Sequence, residues 1–353
     1  TANAFLKPIL SRSNLTVVSG AHVNRVLSDD QDALCFDRVE YFKANALDSR
    51  GALSGIATIA RARHEVVLSA GSLGSVQILE RSGIGAPEVL EANGIKTKHA
   101  LAGVGKNFQD HLQLRTIWKV EGVKTLNQQA NSLVGKARMG LEYLFFKTGP
   151  LTMAPSQLGV FAKSSDQETT ADLQYHVQPL SLDKFGDPLH EFPAFTASVC
   201  HLRPSSRGSI HIGSSDPLAK PVIQPNYLST EADRIIASKA IRLTREIAKR
   251  PALGRFKPSE YLPGIRLQSD EALAEAAGRI GTTIFHPVGT CKMGLISDPT
   301  AVVDPQLRVH GTRKIRVADA SVMPFITSGN TNSPTLMIAE RAAEWMLADC
   351  GSR

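Results

Sequence analysis

The sequence predicts an α/β fold, α+β in the broader sense, in which an antiparallel sheet is inserted between two halves of a strand-and-helix layer. Three observations predict it. Near the start, the apolar run His64–Ser69 ends at Gly71, and helical periodicity follows over 72–82; this is the strand–glycine–helix unit of an open sheet. The middle of the chain carries a series of short strand-like runs. The end returns to a strand, Lys314–Ala318, and a helix, Ser333–Ala348. These changes of texture divide the chain into 1–111, 112–280 and 281–353, with the outer two forming one domain and the middle one a second.

Taken in order, Leu15–Leu27 (LTVVSGAHVNRVL) alternates as a strand, a turn at Gly20 and a second strand. The helix over 72–82 buries Leu73, Val76, Ile78 and Leu79, and Gly83 stops it. The runs Leu112–Lys119, Gln157–Lys163, Asp172–Val177, Phe195–Leu202, Gly208–Gly213 and Pro221–Gln224 predict a largely antiparallel sheet, interrupted by one helix over Ala130–Phe146. Glu231–Arg250 is helical, with Ile235, Ile236, Ala240, Ile241, Leu243 and Ile247 on its inner side. Ser269–Ile280 is helical too, with Asp270 and Glu271 at its positive end. In the closing helix Ser333 suits the N-cap and Pro334 the first turn.

At 353 residues the chain has room for two domains, and 42% hydrophobic with 21% charged residues is the balance of a soluble globular protein, expected here, from the cysteines and the N-terminus read below, to be cytoplasmic. The net charge of +7 is spread without dense Lys/Arg runs, so it reads as a solvated surface and argues against nucleic acid; a basic face remains compatible with peripheral contact with anionic inner-membrane lipids. Cys35, Cys200, Cys291 and Cys350 are far apart in sequence, as expected of free thiols in a reducing compartment. No apolar run has bilayer length, and Thr1-Ala2-Asn3-Ala4 does not open a signal peptide; without an initiator methionine, the chain starts in mid-protein or after processing. No metal is expected, since His286 and Cys291 make no ligand pair and H-E-x-x-H is absent; nor is there a G-x-S-x-G elbow.

The chemistry-bearing stretches lie in the last quarter. A lone histidine such as His286 is most often structural, but it precedes a proline, which holds its backbone extended. It stands in Phe285-His286-Pro287-Val288-Gly289-Thr290-Cys291-Lys292-Met293-Gly294. Val317-Ala318-Asp319-Ala320-Ser321 and Gly329-Asn330-Thr331-Asn332-Ser333-Pro334-Thr335 follow. Gly329-Asn330 taken alone is a turn, and Asp319-Ala320 a surface turn.

In this order, and with Gly71–Gly85 (GSLGSVQILERSGIG) earlier, these stretches resemble the glucose–methanol–choline (GMC) family of flavin-dependent alcohol oxidoreductases, over Thr1 to about Trp345. The resemblance implies a partial FAD-binding Rossmann-like domain with an inserted substrate domain. It implies His286 as the base that takes the hydroxyl proton while hydride leaves for FAD, and Asn330 as the group that orients the substrate oxygen. It places Val23, Ser69, Ala70, Gly71, Asp319 and Ala320 along the adenosine and ribityl–phosphate regions of FAD. The start of the last helix, with Asn332, Pro334 and Thr335, lies near the flavin N1–C2 locus, where its N–H groups favour negative charge. Asp110-His111, within G-x-N-x-Q-D-H, is expected to be structural or cofactor-adjacent. At Gln157, a plain strand position on its own terms, choline-processing relatives carry an acid; a neutral Gln here points to an uncharged primary alcohol as substrate. The electron acceptor is oxygen or a quinone-like carrier, and the bacterial choline/alcohol dehydrogenase branch favours a dehydrogenase.

The sequence departs from the family at Val76, where Ser or Pro is usual, and it lacks the phosphate-cradling G-x-G-x-x-G; Gly83-x-Gly85 and Gly103-x-Gly105 are incomplete. An N-terminal segment of the same protein is therefore expected as a partner, and without it the chain should show exposed apolar edges and weak flavin affinity. Three alternatives stay open: a non-redox hydroxynitrile-lyase-like enzyme, a photodecarboxylase-like relative, and a fragment inactive without a nucleotide-binding partner.

Overall fold

The computed structural model describes residues 1–43, 57–154, 156–184 and 186–351. Strand β1 (Ala21–Ser28) pairs antiparallel with β2 (Phe36–Lys43), and β3 (Thr58–Arg61) adds to β2. The first strand expected within Leu15–Leu27 does not form: Val17 and Val18 are exposed and take part in no described ladder. Apolar alternation makes a strand only where a neighbouring edge accepts its hydrogen bonds. Strand β4 (Val66–Leu68) then turns through Gly71, at φ +77°, into α1 (Gly71–Arg81). The inner side of α1 includes Val76 and Leu79, both fully buried, so the residue at which the sequence departs from the family is a core residue. Gly83 ends the helix at φ +83°, where a Cβ would stand 2.7 Å from the Lys96 carbonyl. The short pair β5 (Ile84–Gly85) and β6 (His99–Ala100) flanks α2 (Pro87–Ala92).

The middle of the chain opens with β7 (Leu112–Lys119). The single helix expected over Ala130–Phe146 is two helices, α3 (Leu126–Asn131) and α4 (Leu133–Phe146). Thr125 and Gln128 form a capping box at the start of α3. Ser132, extended at ψ 133°, caps α4 by accepting from the Gly135 N–H. Helix α4 buries none of its residues; Leu133, Val134, Phe145 and Phe146 are exposed. Strands β8 (Leu158–Ala162), β9 (Leu173–Gln178) and β10 (Ala194–His201) join β7 in antiparallel pairing.

Next come β11 (Ser209–His211), β12 (Val222–Gln224), α5 (Glu231–Ala248), α6 (Pro251–Gly254), β13 (Ser259–Leu262), α7 (Asp270–Ile280) and β14 (Gly281–Thr283). The sheet runs β13-β7-β10-β9-β8, with β14 also on β7. The expectation that Gly208–Gly213 and Pro221–Gln224 belong to this sheet is corrected: β11 and β12 form a separate hairpin. Ile210 of that hairpin enters the core around α1, and Glu80 of α1 holds His211 Nδ1 at 2.6 Å and accepts from the Ile212 N–H at 2.8 Å.

Strand β15 (Ile315–Val317) pairs in parallel with β4, Val66 opposite Ile315 and Leu68 opposite Val317, before α8 (Asn332–Gly351) closes the chain. One core joins Val26, Leu68, Val76 and Leu79 to Val302, Ile315, Val317 and Ala342. A second joins Leu114, Tyr175 and Val199 to Ala237, Ile241 and Leu273 of α5 and α7. Side chains alternate across a strand, so burying Leu114, Tyr175 and Val199 against the helices turns Gln113, Gln174 and Cys200 to the opposite face. That face looks onto the candidate site. No helix among the described residues is long and apolar enough to cross a membrane.

Candidate active site

The site is assembled on one buried carboxylate. Asp110, two residues before β7, accepts from the His111 N–H and the His286 N–H at 2.9 Å each through Oδ1. Its Oδ2 accepts from the hydroxyls of Tyr227 and Thr283. An acid that accepts from both histidine backbones fixes where both rings start. Phe285, just before His286, adopts φ +63°, a left-handed conformation that a bulky residue takes only when its surroundings impose it.

From that base the side chains form one directed chain. His111 Nε2 lies 3.0 Å from the Leu202 carbonyl oxygen, and a carbonyl only accepts, so this nitrogen carries the proton. In neutral His111, Nδ1 is then a lone pair, and His286 Nδ1, 3.1 Å away, donates to it. Neutral His286 is left with its lone pair at Nε2, which accepts from Asn330 Nδ2 at 3.1 Å. Asn330 Oδ1 in turn accepts from Gln174 Nε2 at 3.1 Å. Burial, the largest influence on both rings, keeps them neutral. It pushes His111 down to about 4, against the opposing effect of the Leu202 carbonyl. It also lowers His286, with Asp110 acting in the opposite direction. The result is a neutral imidazole lone pair beside an amide N–H.

A second cluster lies where β4 and β15 end side by side. Ser69 Oγ donates to the Ala318 carbonyl at 3.1 Å. Asp319 Oδ2 accepts from the Gly71 N–H at 2.9 Å and from Ser75 Oγ at 2.6 Å, while Oδ1 accepts from the Ser321 N–H at 2.9 Å. The turn after β4, with Ser69, Ala70 and Gly71, and the turn after β15, with Asp319 and Ala320, thus sit side by side. Val23 lies in β1, partly buried against the first core, outside this hydrogen-bond cluster. The turn after β4 reaches the histidine pocket through α1, whose Ser72 Oγ donates to the Pro287 carbonyl.

Helix α8 begins one residue earlier than expected. Asn332 is already helical, and the Thr331 carbonyl accepts from the Thr335 N–H at 3.1 Å, so Thr331 rather than Ser333 occupies the cap position. Asn332 and Ser333 are exposed at this end, with Pro334 in the first turn, directly after Asn330. Gln157 is not part of the constellation. It is exposed at the start of β8, its amide 3.7 Å from Met153 Sδ, and lines an apolar cavity of about 400 Å³ with Tyr175 and Val177.

The family model described as GMC oxidoreductase matches residues 1–113 with its N-terminal part and 204–339 with its C-terminal part. The chain belongs to the GMC oxidoreductase family. It is 38% identical over 346 residues to an alcohol dehydrogenase [acceptor] of Pseudomonas putida, covering 98% of this chain and 60% of that one. It is 39% identical over 344 residues to an oxygen-dependent choline dehydrogenase of Pectobacterium atrosepticum, covering 98% and 59%. Among solved structures it superposes on pyridoxine 4-oxidase from Mesorbium loti with a TM-score of 0.80 at 27% identity, over 98% of this chain and 60% of that one. On the formate oxidase of Aspergillus oryzae RIB40 the TM-score is 0.86 at 24% identity, over 97% and 62%, a likeness of fold. The chain spans about 60% of the length of the curated relatives it matches. Within this GMC chain, Gln174 escaped recognition as part of the site, and Asp110-His111, expected to be structural or cofactor-adjacent, holds the backbone and ring of His286. Asn330 lies 156 residues from Gln174, and His286 lies 175 from His111 and 176 from Asp110; no local pattern records such contacts.

Proposed function

We propose that this GMC protein oxidises an uncharged primary alcohol to its aldehyde, with His286 as the base, Asn330 as the group that orients the substrate oxygen, and FAD as the hydride acceptor. One observation carries the reading: the chain fixed by the Leu202 carbonyl leaves His286 Nε2 as a lone pair next to the Asn330 N–H. A hydroxyl that takes the place of the Asn330–His286 hydrogen bond is complementary to both atoms, because it donates its proton to Nε2 and accepts from Nδ2. As the carbinol C–H bond breaks, the O–H proton passes to Nε2, the C=O bond forms, and the Asn330 N–H meets the developing charge. The resulting imidazolium keeps Nδ1–H on His111 and is favoured by the nearby Asp110 carboxylate.

The residues fit FAD. Two parallel strands end together at Ser69–Gly71 and Ala318–Ala320, the place where open α/β sheets take nucleotides. A Cβ built on Gly71 would meet no atom within 4 Å, so the turn is open. The 20-residue helix α8 presents its first N–H groups beside Asn330, where negative charge is favoured. FAD, when bound, supplies a two-electron acceptor, and its electrons go on to oxygen or a quinone-like carrier. Ser69, Ala70, Gly71 and Ala320 would hold it along the two turns, with Asp319 keeping them in shape.

The test is the flavin absorbance spectrum of the purified holoenzyme under anaerobic conditions, with a panel of primary alcohols. Bleaching by an alcohol, abolished in His286→Ala, is expected. Unbleached flavin together with cyanohydrin cleavage would overturn the reading in favour of a lyase.

A further inference from the structure

Helix α4 turns its apolar side outward. Leu133, Val134, Ala137, Leu141, Leu144 and Phe145 fall within an arc of about 120° of its circumference, and no charged residue lies inside that arc. In a surface helix such a stripe faces the core. Here Leu133, Val134, Leu141, Leu144 and Phe145 are all between 55% and 84% exposed. Among the described residues α4 packs chiefly on α3 and on the turn Pro150–Thr152. Exposure continues past the helix through Leu151 and Met153 to Leu158 of β8, the edge strand of the main sheet. The segments that flank α3 and α4, at Val123 on one side and at Leu158 and Val160 on the other, also line the apolar cavity beside Tyr175. An exposed apolar surface of this continuity marks a place of contact.

The charges decide what makes the contact. Between Leu126 and Gly149 there are three basic residues and one acid. Arg138 borders the stripe beside Val134 and Leu141, while Lys136 and Lys147 border its other edge beside Leu133 and Leu144. On that second edge the Lys147 ammonium stands 4.7 Å from the centroid of the Tyr143 ring. Glu142 lies outside the stripe and is turned to Thr148, whose Oγ1 donates to it at 3.3 Å. A second copy of this stripe would set like charge against like, because both edges are basic. An anionic bilayer complements the whole surface: acyl chains take the stripe, headgroup phosphates take the basic edges, and Tyr143 suits the boundary between them. At 14 residues α4 is too short to cross the hydrocarbon layer, so it lies along the surface.

We propose that α4 docks this protein on an anionic bilayer, with Leu133, Leu141, Leu144 and Phe145 in the acyl boundary and Lys136, Arg138 and Lys147 at the headgroup phosphates. Docking there brings the edge strand β8, and the apolar cavity behind it, to the lipid. The surface is separate from the histidine pocket and does not rest on the alcohol reading.

The experiment is flotation of the full-length protein with vesicles of phosphatidylcholine alone and of phosphatidylcholine mixed with phosphatidylglycerol, at low and at high salt. Binding to the mixed vesicles is expected, weakened by salt. It should fall at least about tenfold in the double variant Leu141→Ser, Leu144→Ser, and at least about tenfold in Lys136→Glu, Arg138→Glu. All four side chains are exposed, so both variants should melt at the temperature of the parent. Protein left unbound by both kinds of vesicle, or binding undiminished in either double variant, would overturn the proposal. A dimer that Leu141→Ser, Leu144→Ser disperses, with no vesicle binding by the parent, would overturn it in favour of a second copy.

Discussion

The histidine pocket and the strand-end turn are each tied together by one buried aspartate, yet the two acids organise different things. Asp110 collects the backbones of His111 and His286 and the hydroxyls of Tyr227 and Thr283, and so sets the stage for titrating side chains. Asp319 collects the Gly71 and Ser321 N–H groups and Ser75 Oγ, and so shapes a backbone turn with no titrating neighbour in its hydrogen bonds. A negative charge beside a histidine alters chemistry, whereas the same charge beside peptide N–H groups alters geometry. Conversion to the amide should therefore separate the two.

The largest effect is expected at the histidine itself. His286→Ala should lower kcat by about 10²–10⁴-fold, as removal of a general base does, while flavin content stays unchanged. Asp110→Asn comes next: an amide N–H would face groups that already donate, costing about 2–4 kcal/mol in chemical denaturation. Asp110 raises His286, so its neutralisation should also shift the acid limb of the kcat/KM profile to lower pH. Asp319→Asn should cost about 1–3 kcal/mol and weaken flavin retention, leaving that limb in place. An equal shift of the limb in both variants would break the comparison.

Acid stability sharpens it. His111 is held down to about 4 in the folded protein against an ordinary value of 6.5. The unfolded chain therefore binds the proton first, and stability is full above about pH 6.5 and declines as pH falls toward 4. This dependence amounts to roughly 3 kcal/mol and should disappear in His111→Leu. The smallest effect belongs to the turn: Gly71→Ala has space for its methyl but must hold φ +77°, costing about 1 kcal/mol in thermal denaturation.

The same contrast explains what was legible. Element positions read well where periodicity was strong: β7 coincides with the expected Leu112–Lys119, and α5 and α7 lie within two residues of their expected ends. His286 and Asn330 stood out because each sits in a local motif, and the structure brings them to 3.1 Å. Reading failed where a distant neighbour decides. Leu15–Ser19 had the alternation but no edge to join, and Ser132 split one apolar run into two helices by capping. Gly208–Gly213 looked like another strand of the main sheet until Glu80 claimed its far end. Gln174 shows no signal in its neighbours; its role depends on which face of β9 the second core leaves over.

The Leu202 carbonyl, which orders the tautomers from His111 to Asn330, belongs to the main chain. No point mutation deletes a peptide oxygen, so the polarity of the relay is inherited with the path of the backbone, and the side chain at position 202 can change without reversing it. Drift can thus exchange the groups that meet the substrate at the open end while the closed end keeps its sense. Under the proposed reading, a lineage built on such an anchor can explore new alcohols without having to rediscover its base.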